Sequence, residues 1–120
     1  MQKMIVKKPW GTYEVLLDEP NYKVKRIVVH PYERFSLQYH KHREEHWVVV
    51  EGDGIVQVNE KEYPAYVRTH WVILPTQKHR ATAGPNGLIF IETQTGDCRE
   101  EDIIRLEDDY GRLDSDVVSV

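Results

Sequence analysis

The sequence predicts an all-β sandwich or barrel, on three observations. Short apolar stretches rich in β-branched and aromatic residues recur roughly every ten residues, turn-prone residues separate them, and no useful length of chain carries the helical period. In order, Met1–Lys8 reads as an added edge strand, followed by strands at Tyr13–Leu17 and Tyr22–Val29 with Glu19-Pro20-Asn21 between them. His30-Pro31 ends the third segment; Phe35–His40 and His46–Val50 then flank the charged stretch Lys41–Glu45. Gly52-Asp53-Gly54 and Asn59-Glu60-Lys61 read as hairpin loops on either side of Ile55–Val58. Tyr63–Val67 and Trp71–Leu74 come next, the latter closed by Pro75-Thr76, and Leu88–Thr93 follows the turn Gly84-Pro85-Asn86-Gly87. Arg99–Leu106 is mostly charged and reads as a short helical turn or an arm packed on the barrel.

Composition narrows the class. The chain has 120 residues, 16 Lys+Arg against 20 Asp+Glu and a net charge of −4. That is one domain's length, 1–120, long enough for one core without staples. Cys98 is the one cysteine; with no partner in the chain it suits a reducing cytoplasm. Apolar runs no longer than Trp47–Val50 fall far short of the roughly 20 residues of a membrane helix. The first ten residues lack the apolar stretch of a signal peptide. Mild acidity without a basic stripe argues against nucleic acid as a partner. A small molecule is the expected ligand, and an edge strand at Met1–Val6 makes a homodimer the default assembly.

The chemistry concentrates in Phe35–Trp47, where His40, His42 and His46 fall within seven residues. On a strand, Gln38, His40 and His42 share one face. Donors at i and i+2, a carboxylate across a short turn and a distant histidine, best supplied by His79 after Trp71–Leu74, would make a metal site. Such an imidazole, carboxylate and amide set suits Zn, Mn, Fe, Co or Ni. A solvated face carrying His-x-His is the plainer alternative.

These residues resemble the two motifs of the cupin superfamily, jelly-roll barrels of the double-stranded β-helix kind. Six residues separate Glu45 from Gly52, as in the first motif. Lys8-Pro9-Trp10-Gly11-Thr12-Tyr13-Glu14, the stretch Leu37–Trp47 and Glu101–Arg112 are similar to the C-terminal domain of type II mannose-6-phosphate isomerases, over about residues 8 to 112. The resemblance implies a metal-dependent isomerase interconverting mannose 6-phosphate and fructose 6-phosphate. A non-catalytic metal-containing cupin that binds a sugar or other small molecule is the alternative. By similarity the ion falls on Gln38, His40, Glu45 and His79; a second set, His40, His42, His46 and His79, stays open. The second motif departs from the pattern: Thr69 stands where glycine is usual, Pro75 precedes His79 by four residues, Gln77 replaces the turn glycine and Ala83 the asparagine.

For an aldose–ketose isomerisation the resemblance implies a general base, and Glu92, sharing a strand face with Phe90 and Gln94, is the candidate. Arg43 is a candidate for both catalysis and phosphate binding; Arg80 and Lys78 are further phosphate candidates. Trp10, Trp47 and Trp71 are expected in the core or at an interface before a sugar-stacking role.

Overall fold

The computed structural model describes residues 4–113. Its regular elements are nine strands: β1 (Met4–Lys8), β2 (Gly11–Glu19), β3 (Tyr22–Val29), β4 (Leu37–Tyr39), β5 (Arg43–Val58), β6 (Lys61–Tyr66), β7 (His70–Ile73), β8 (His79–Gly96) and β9 (Ile104–Glu107). They make one curled sheet in which β1-β2-β3-β8-β4-β9 are successive neighbours and β5 pairs with β6, β7 and β8. No helix among the described residues is long and apolar enough to cross a membrane.

Two long strands organise the barrel. β5 and β8 run antiparallel from Arg43↔Gly96 to Val58↔His79. Toward the Arg43 end of β5, its free side takes β7, with Glu45 opposite Ile73, while β8 takes β3 on its own other side, with Phe90 opposite Ile27. Toward the Val58 end the partners change to β6 and β4, the latter through Gln38↔His79. The register shifts between Val49 and Glu51 and again between Gly52 and Gly54, which is where the paired strands turn the corner between the two halves.

This corner corrects two expectations. Gly52-Asp53-Gly54 is not a hairpin loop, and Gly84-Pro85-Asn86-Gly87 is not a chain reversal; both lie inside continuous strands. Here glycine provides room for two backbones to approach. A Cβ on Gly52 would stand 2.1 Å from the Gly87 carbonyl oxygen, and one on Gly54 2.1 Å from that of Thr82. Asn59-Glu60 does form a tight turn, joining Val58 to Lys61 with Asn59 at φ 54°. Of the expected strand Phe35–His40 only Leu37–Tyr39 pairs, and the charged tail is an arm whose strand β9 pairs with β4. The expected edge strand is β1, paired with β2; Met1–Lys3 lie outside the described residues.

Side chains alternate along β5: Arg43, Glu45, Trp47 and Val49 point inward, and Glu44, His46, Val48 and Val50 outward. On β8, Leu88, Phe90, Glu92 and Gln94 point inward. The interior thus has an apolar floor and a polar end. The floor is an aromatic stack, with ring centroids 5.3 Å apart for Trp10–Phe35, 5.8 Å for Phe35–Trp47 and 4.6 Å for Trp47–Phe90. Burying each such ring contributes roughly 1.5–3 kcal/mol.

Gly52→Ala is expected to cost about 2–4 kcal/mol in urea denaturation, because it adds a left-handed alanine at φ +83° to a clash with backbone. Gly111→Ala, at φ +74° with nothing within 4 Å, should cost only about 1–2 kcal/mol. Equal losses in the two variants would remove the close-approach argument.

Candidate metal centre and pocket

β4, β5 and β8 bring His40, Glu45 and His79 together, with donor atoms all within 4.8 Å of one another and all three side chains buried. His40 Nε2 lies 3.2 Å from Glu45 Oε2 and His79 Nε2 lies 3.6 Å from Glu45 Oε1. The ring orientations are set from behind. His40 Nδ1–H donates to the Asp102 carbonyl at 2.6 Å and His79 Nδ1–H to the Gln77 carbonyl at 2.9 Å. A carbonyl only accepts, so each Nε2 turns a lone pair toward the carboxylate. Burial lowers the His40 pKa to about 3, with Arg43 and His79 adding to the effect, and lowers that of His79 to about 4. Both imidazoles are therefore neutral at pH 7, the form in which histidine ligates metal.

Two groups complete the ring. The Gln38 carboxamide stands 3.4 Å from His40 Nε2, while its Oε1 accepts from the Ser36 hydroxyl at 2.6 Å. Since a serine hydroxyl donates and accepts, a half-turn of the amide would present Oε1 to the centre instead. Arg43 donates from Nε to Glu45 Oε2 at 2.9 Å and from Nη2 to His40 Nε2 at 3.1 Å, and from Nη1 to the Arg99 carbonyl at 3.3 Å. His79 Nε2 is left buried without a hydrogen-bond partner. An orphaned imidazole lone pair facing a carboxylate oxygen calls for a cation between them, and the donor set fits a divalent ion.

The loop that aims His79 does so without the expected glycine. Thr76 adopts the left-handed conformation, φ 71°, and its N–H donates to the His40 carbonyl at 2.7 Å. Gln77 spans the turn, its side-chain oxygen accepting from Leu74 N–H at 2.8 Å. The other histidines of the cluster stand elsewhere: His46 faces outward beside His70, their rings 5.8 Å apart, and His42 is exposed.

Glu92 lies inside, next to the centre. Its Oε2 accepts from Trp47 Nε1 at 3.1 Å and its Oε1 from Gln94 Nε2 at 2.6 Å; the same indole N–H also reaches Glu45 Oε1 at 3.0 Å. Burial first, and the neighbouring Glu45 charge second, push the Glu92 pKa up to about 7. Glu92, Gln38, His40 and Arg43 line a pocket that also contains Lys8, Lys25, Arg105 and Arg112, over Trp10 and Trp47. Burial and the Arg105 and Arg112 charges hold the Lys8 ammonium below its ordinary value, which marks a shared positive wall. Lys25 pairs with Glu100 at 2.7 Å and Arg112 with Asp108 at 2.9 Å.

Arg80 and Lys78 do not line this pocket. Arg80 donates to the Phe35 carbonyl at 2.9 Å and pairs with Glu107 at 3.2 Å, and Lys78 pairs with Glu60 at 2.7 Å on the surface. The sequence reading did not single out Lys8, Lys25, Arg105 or Arg112. Lys25 carried a usable signal, since Lys23, Lys25, Ile27 and Val29 share the inward face of β3, turning it polar at one end. Lys8, Arg105 and Arg112 come from opposite ends of the chain, and no local spacing joins them. Trp71 sits away from the pocket, beside Tyr63 at 6.3 Å between ring centroids.

Residues 1–108 match the family described as mannose-6-phosphate isomerase C-terminal. A mannose-1-phosphate guanylyltransferase of Klebsiella pneumoniae is 38% identical over 108 residues, 88% of this chain and 23% of that protein. The alginate biosynthesis protein AlgA of Pseudomonas aeruginosa is 41% identical over 109 residues, 89% and 23% of the two. The chain thus spans under a quarter of the length of these relatives. Among solved structures, an RmlC-like cupin from Shewanella frigidimarina superposes with a TM-score of 0.75 at 23% identity, covering 83% of this chain and 88% of that one. Streptomyces PAC13 with uridine gives 0.77 at 17% identity, covering 88% and 86%. The fold is therefore the cupin jelly roll. The activity expectation is corrected: the Klebsiella relative is named a mannose-1-phosphate guanylyltransferase and the Pseudomonas one an alginate biosynthesis protein, and neither is named an enzyme interconverting mannose 6-phosphate and fructose 6-phosphate. Matched over nearly its whole length and folded as a cupin barrel, this chain belongs to the mannose-6-phosphate isomerase C-terminal family.

Proposed function

We propose that the domain is a metal-centred site that binds a phosphorylated sugar, with one divalent ion on His40, Glu45 and His79, and Gln38 as the fourth residue. The observation that carries this is the buried, partnerless Nε2 of His79 aimed at the Glu45 carboxylate. Two neutral imidazoles and a carboxylate suit Zn, Mn, Fe, Co or Ni. When bound, the ion would supply Lewis acidity to an oxygen of the ligand. The chain's own residues do the rest. Lys8, Arg105 and Arg112 offer charge-assisted hydrogen bonds to a phosphate. Trp10 and Trp47 give the pocket an apolar floor that limits water. Glu92, with a pKa of about 7, can hold or release a proton at a ligand hydroxyl near neutrality. The relatives' names make mannose 1-phosphate the first sugar phosphate to try. We extend the reading to a homodimer paired through the open edge of β1 and to a reducing cytoplasm, which the single thiol of Cys98 suits.

Protein purified without chelators is expected to hold about one divalent ion per chain by elemental analysis, and His79→Ala to lose it. In calorimetry, the metal-loaded protein should bind mannose 1-phosphate more tightly than mannose, and Lys8→Ala should weaken the phosphorylated ligand roughly tenfold. Metal content indifferent to His79→Ala would reject the ion site, and equal affinity for the two sugars would reject the cationic wall as a phosphate site.

Acid should destabilise the metal-free protein. The folded-state values of about 3 and about 4 for His40 and His79 lie below the unfolded value of 6.5, so their stabilising effect is complete above pH 6.5 and is lost as pH falls through the folded values. Glu92 has the opposite sign: its contribution is complete below 4.5 and is lost as pH rises through about 7. Two imidazoles outweigh one carboxyl, so the melting temperature should fall as pH is lowered from 6.5 to 4.5, and fall more steeply in Glu92→Gln. A melting temperature that rises over this range would show that the imidazoles are not the neutral, buried pair described.

A further inference from the structure

The arm that follows β8 reaches the metal centre from behind. Three of its backbone carbonyls take hydrogen bonds from inward-facing side chains of three different segments. Cys98 accepts from Lys23 Nζ at 3.1 Å, Arg99 from Arg43 Nη1 at 3.3 Å and Asp102 from His40 Nδ1 at 2.6 Å. Asp102 differs from the others because its side chain also binds the ligand loop. Its Oδ1 accepts from Lys41 N–H at 3.0 Å and its Oδ2 from His42 N–H at 2.9 Å. These are the two residues directly after His40. One residue therefore grips the loop by its backbone and the imidazole by its ring, and the grip spans 62 positions of sequence.

We propose that Asp102 is a positioning residue of the metal centre: its carboxylate fixes the loop at Lys41 and His42 so that its own carbonyl holds His40 as the Nδ1–H tautomer, lone pair on Nε2 toward Glu45. The proposal rests on the reading of His40, Glu45 and His79 as metal ligands. The physical argument is one of alternatives. A neutral imidazole free to choose its tautomer or flip its ring spends part of its time with an N–H aimed at the site, and that form cannot ligate. A carbonyl 2.6 Å from Nδ1 of the buried imidazole removes that form, because only an N–H can occupy the position. The carbonyl cannot be exchanged by mutation, but its placement depends on the two bonds made by the carboxylate. Groups that orient a ligating histidine in this way typically affect metal affinity 10–100-fold.

The experiment uses the full chain with three variants: Asp102→Ala, Asp102→Asn, which keeps one acceptor oxygen, and Asp97→Ala. Asp97 lies in the same arm, and its carboxylate takes hydrogen bonds from Arg99, two positions on, and not from the loop after His40 among the described residues, so that variant controls for a general loosening of the arm. Two quantities are measured: the nitrogen-15 chemical shifts of the His40 imidazole in metal-free protein, and the Zn²⁺ affinity by competition with a chelator. The expected result is a single Nδ1–H tautomer in wild type and Asp97→Ala, and a tautomer mixture with Zn²⁺ bound about 10–100-fold more weakly in Asp102→Ala. Asp102→Asn should fall between them and decides the case if the alanine variant fails to fold. Unchanged His40 shifts and unchanged Zn²⁺ affinity in a folded Asp102 variant overturn the proposal. If wild type itself binds no Zn²⁺, the metal reading fails separately, and the tautomer populations alone decide whether Asp102 positions His40.

Discussion

The buried carboxylate of Glu45 is the constraint on which the rest of the interior depends. A carboxylate removed from water costs several kcal/mol unless its oxygens are matched by donors or cations. Here Oε2 is met by Arg43 and Oε1 by the Trp47 indole, and the lone pairs of two imidazoles face the same group. The demand for positive charge at this point explains several placements at once. Arg43 is inward-facing although the β5 strand could have turned an aliphatic residue there, and Trp47 is both the centre of the aromatic floor and a donor to two carboxylates. Glu92 bears the consequence: it shares the Trp47 N–H with Glu45, and the neighbouring charge joins burial in keeping it protonated up to about pH 7.

The barrel's corner is what brings these residues within reach of one another. Glu45 and Trp47 lie before the Gly52–Gly54 crossing on β5, and Glu92 after the Gly84–Gly87 segment on β8; His79 lies on the other side of that corner at the start of β8. A straight β5–β8 ribbon would leave His79, opposite Val58, far along the ladder from Glu45, opposite Gln94. Bending the pair at glycines folds the ends over a common interior. The conformational freedom of those glycines is thus spent on approach between backbones, and its product is the metal centre.

This also explains what could be read from the chain in advance. Strand alternation in Phe90–Gln94 was legible, because period two needs only local sequence, and it puts Glu92 on one face with Phe90 and Gln94; Glu45, in a charged stretch expected to turn, was named by the motif spacing to Gly52. The set Gln38, His40 and Glu45 came from the family resemblance, since alternation alone left His42 and His46 open as rivals. The glycine pairs were misread as reversals because a hairpin turn and a strand crossing ask for the same residue; only the partner strand tells them apart. His79 was nameable, but its aim was not, since the work of the missing glycine is done by a left-handed Thr76 and the side chain of Gln77. The cationic wall was the least legible part. Lys8 joins Arg105 and Arg112 only once β1 and the arm meet at one pocket.

The arm therefore has a larger share in function than its single short strand suggests. The solved structures at 17–23% identity share the barrel frame with this chain. What the frame does not supply is the ring orientation of His40 or the positive wall above it. Residues 99 to 112 contribute to both: their carbonyls accept hydrogen bonds from His40 and Arg43, and Arg105 and Arg112 join Lys8 and Lys25 in lining the pocket. A segment that both holds the His40 ring and lines the pocket would, on the proposed function, couple binding of the ion to binding of its ligand.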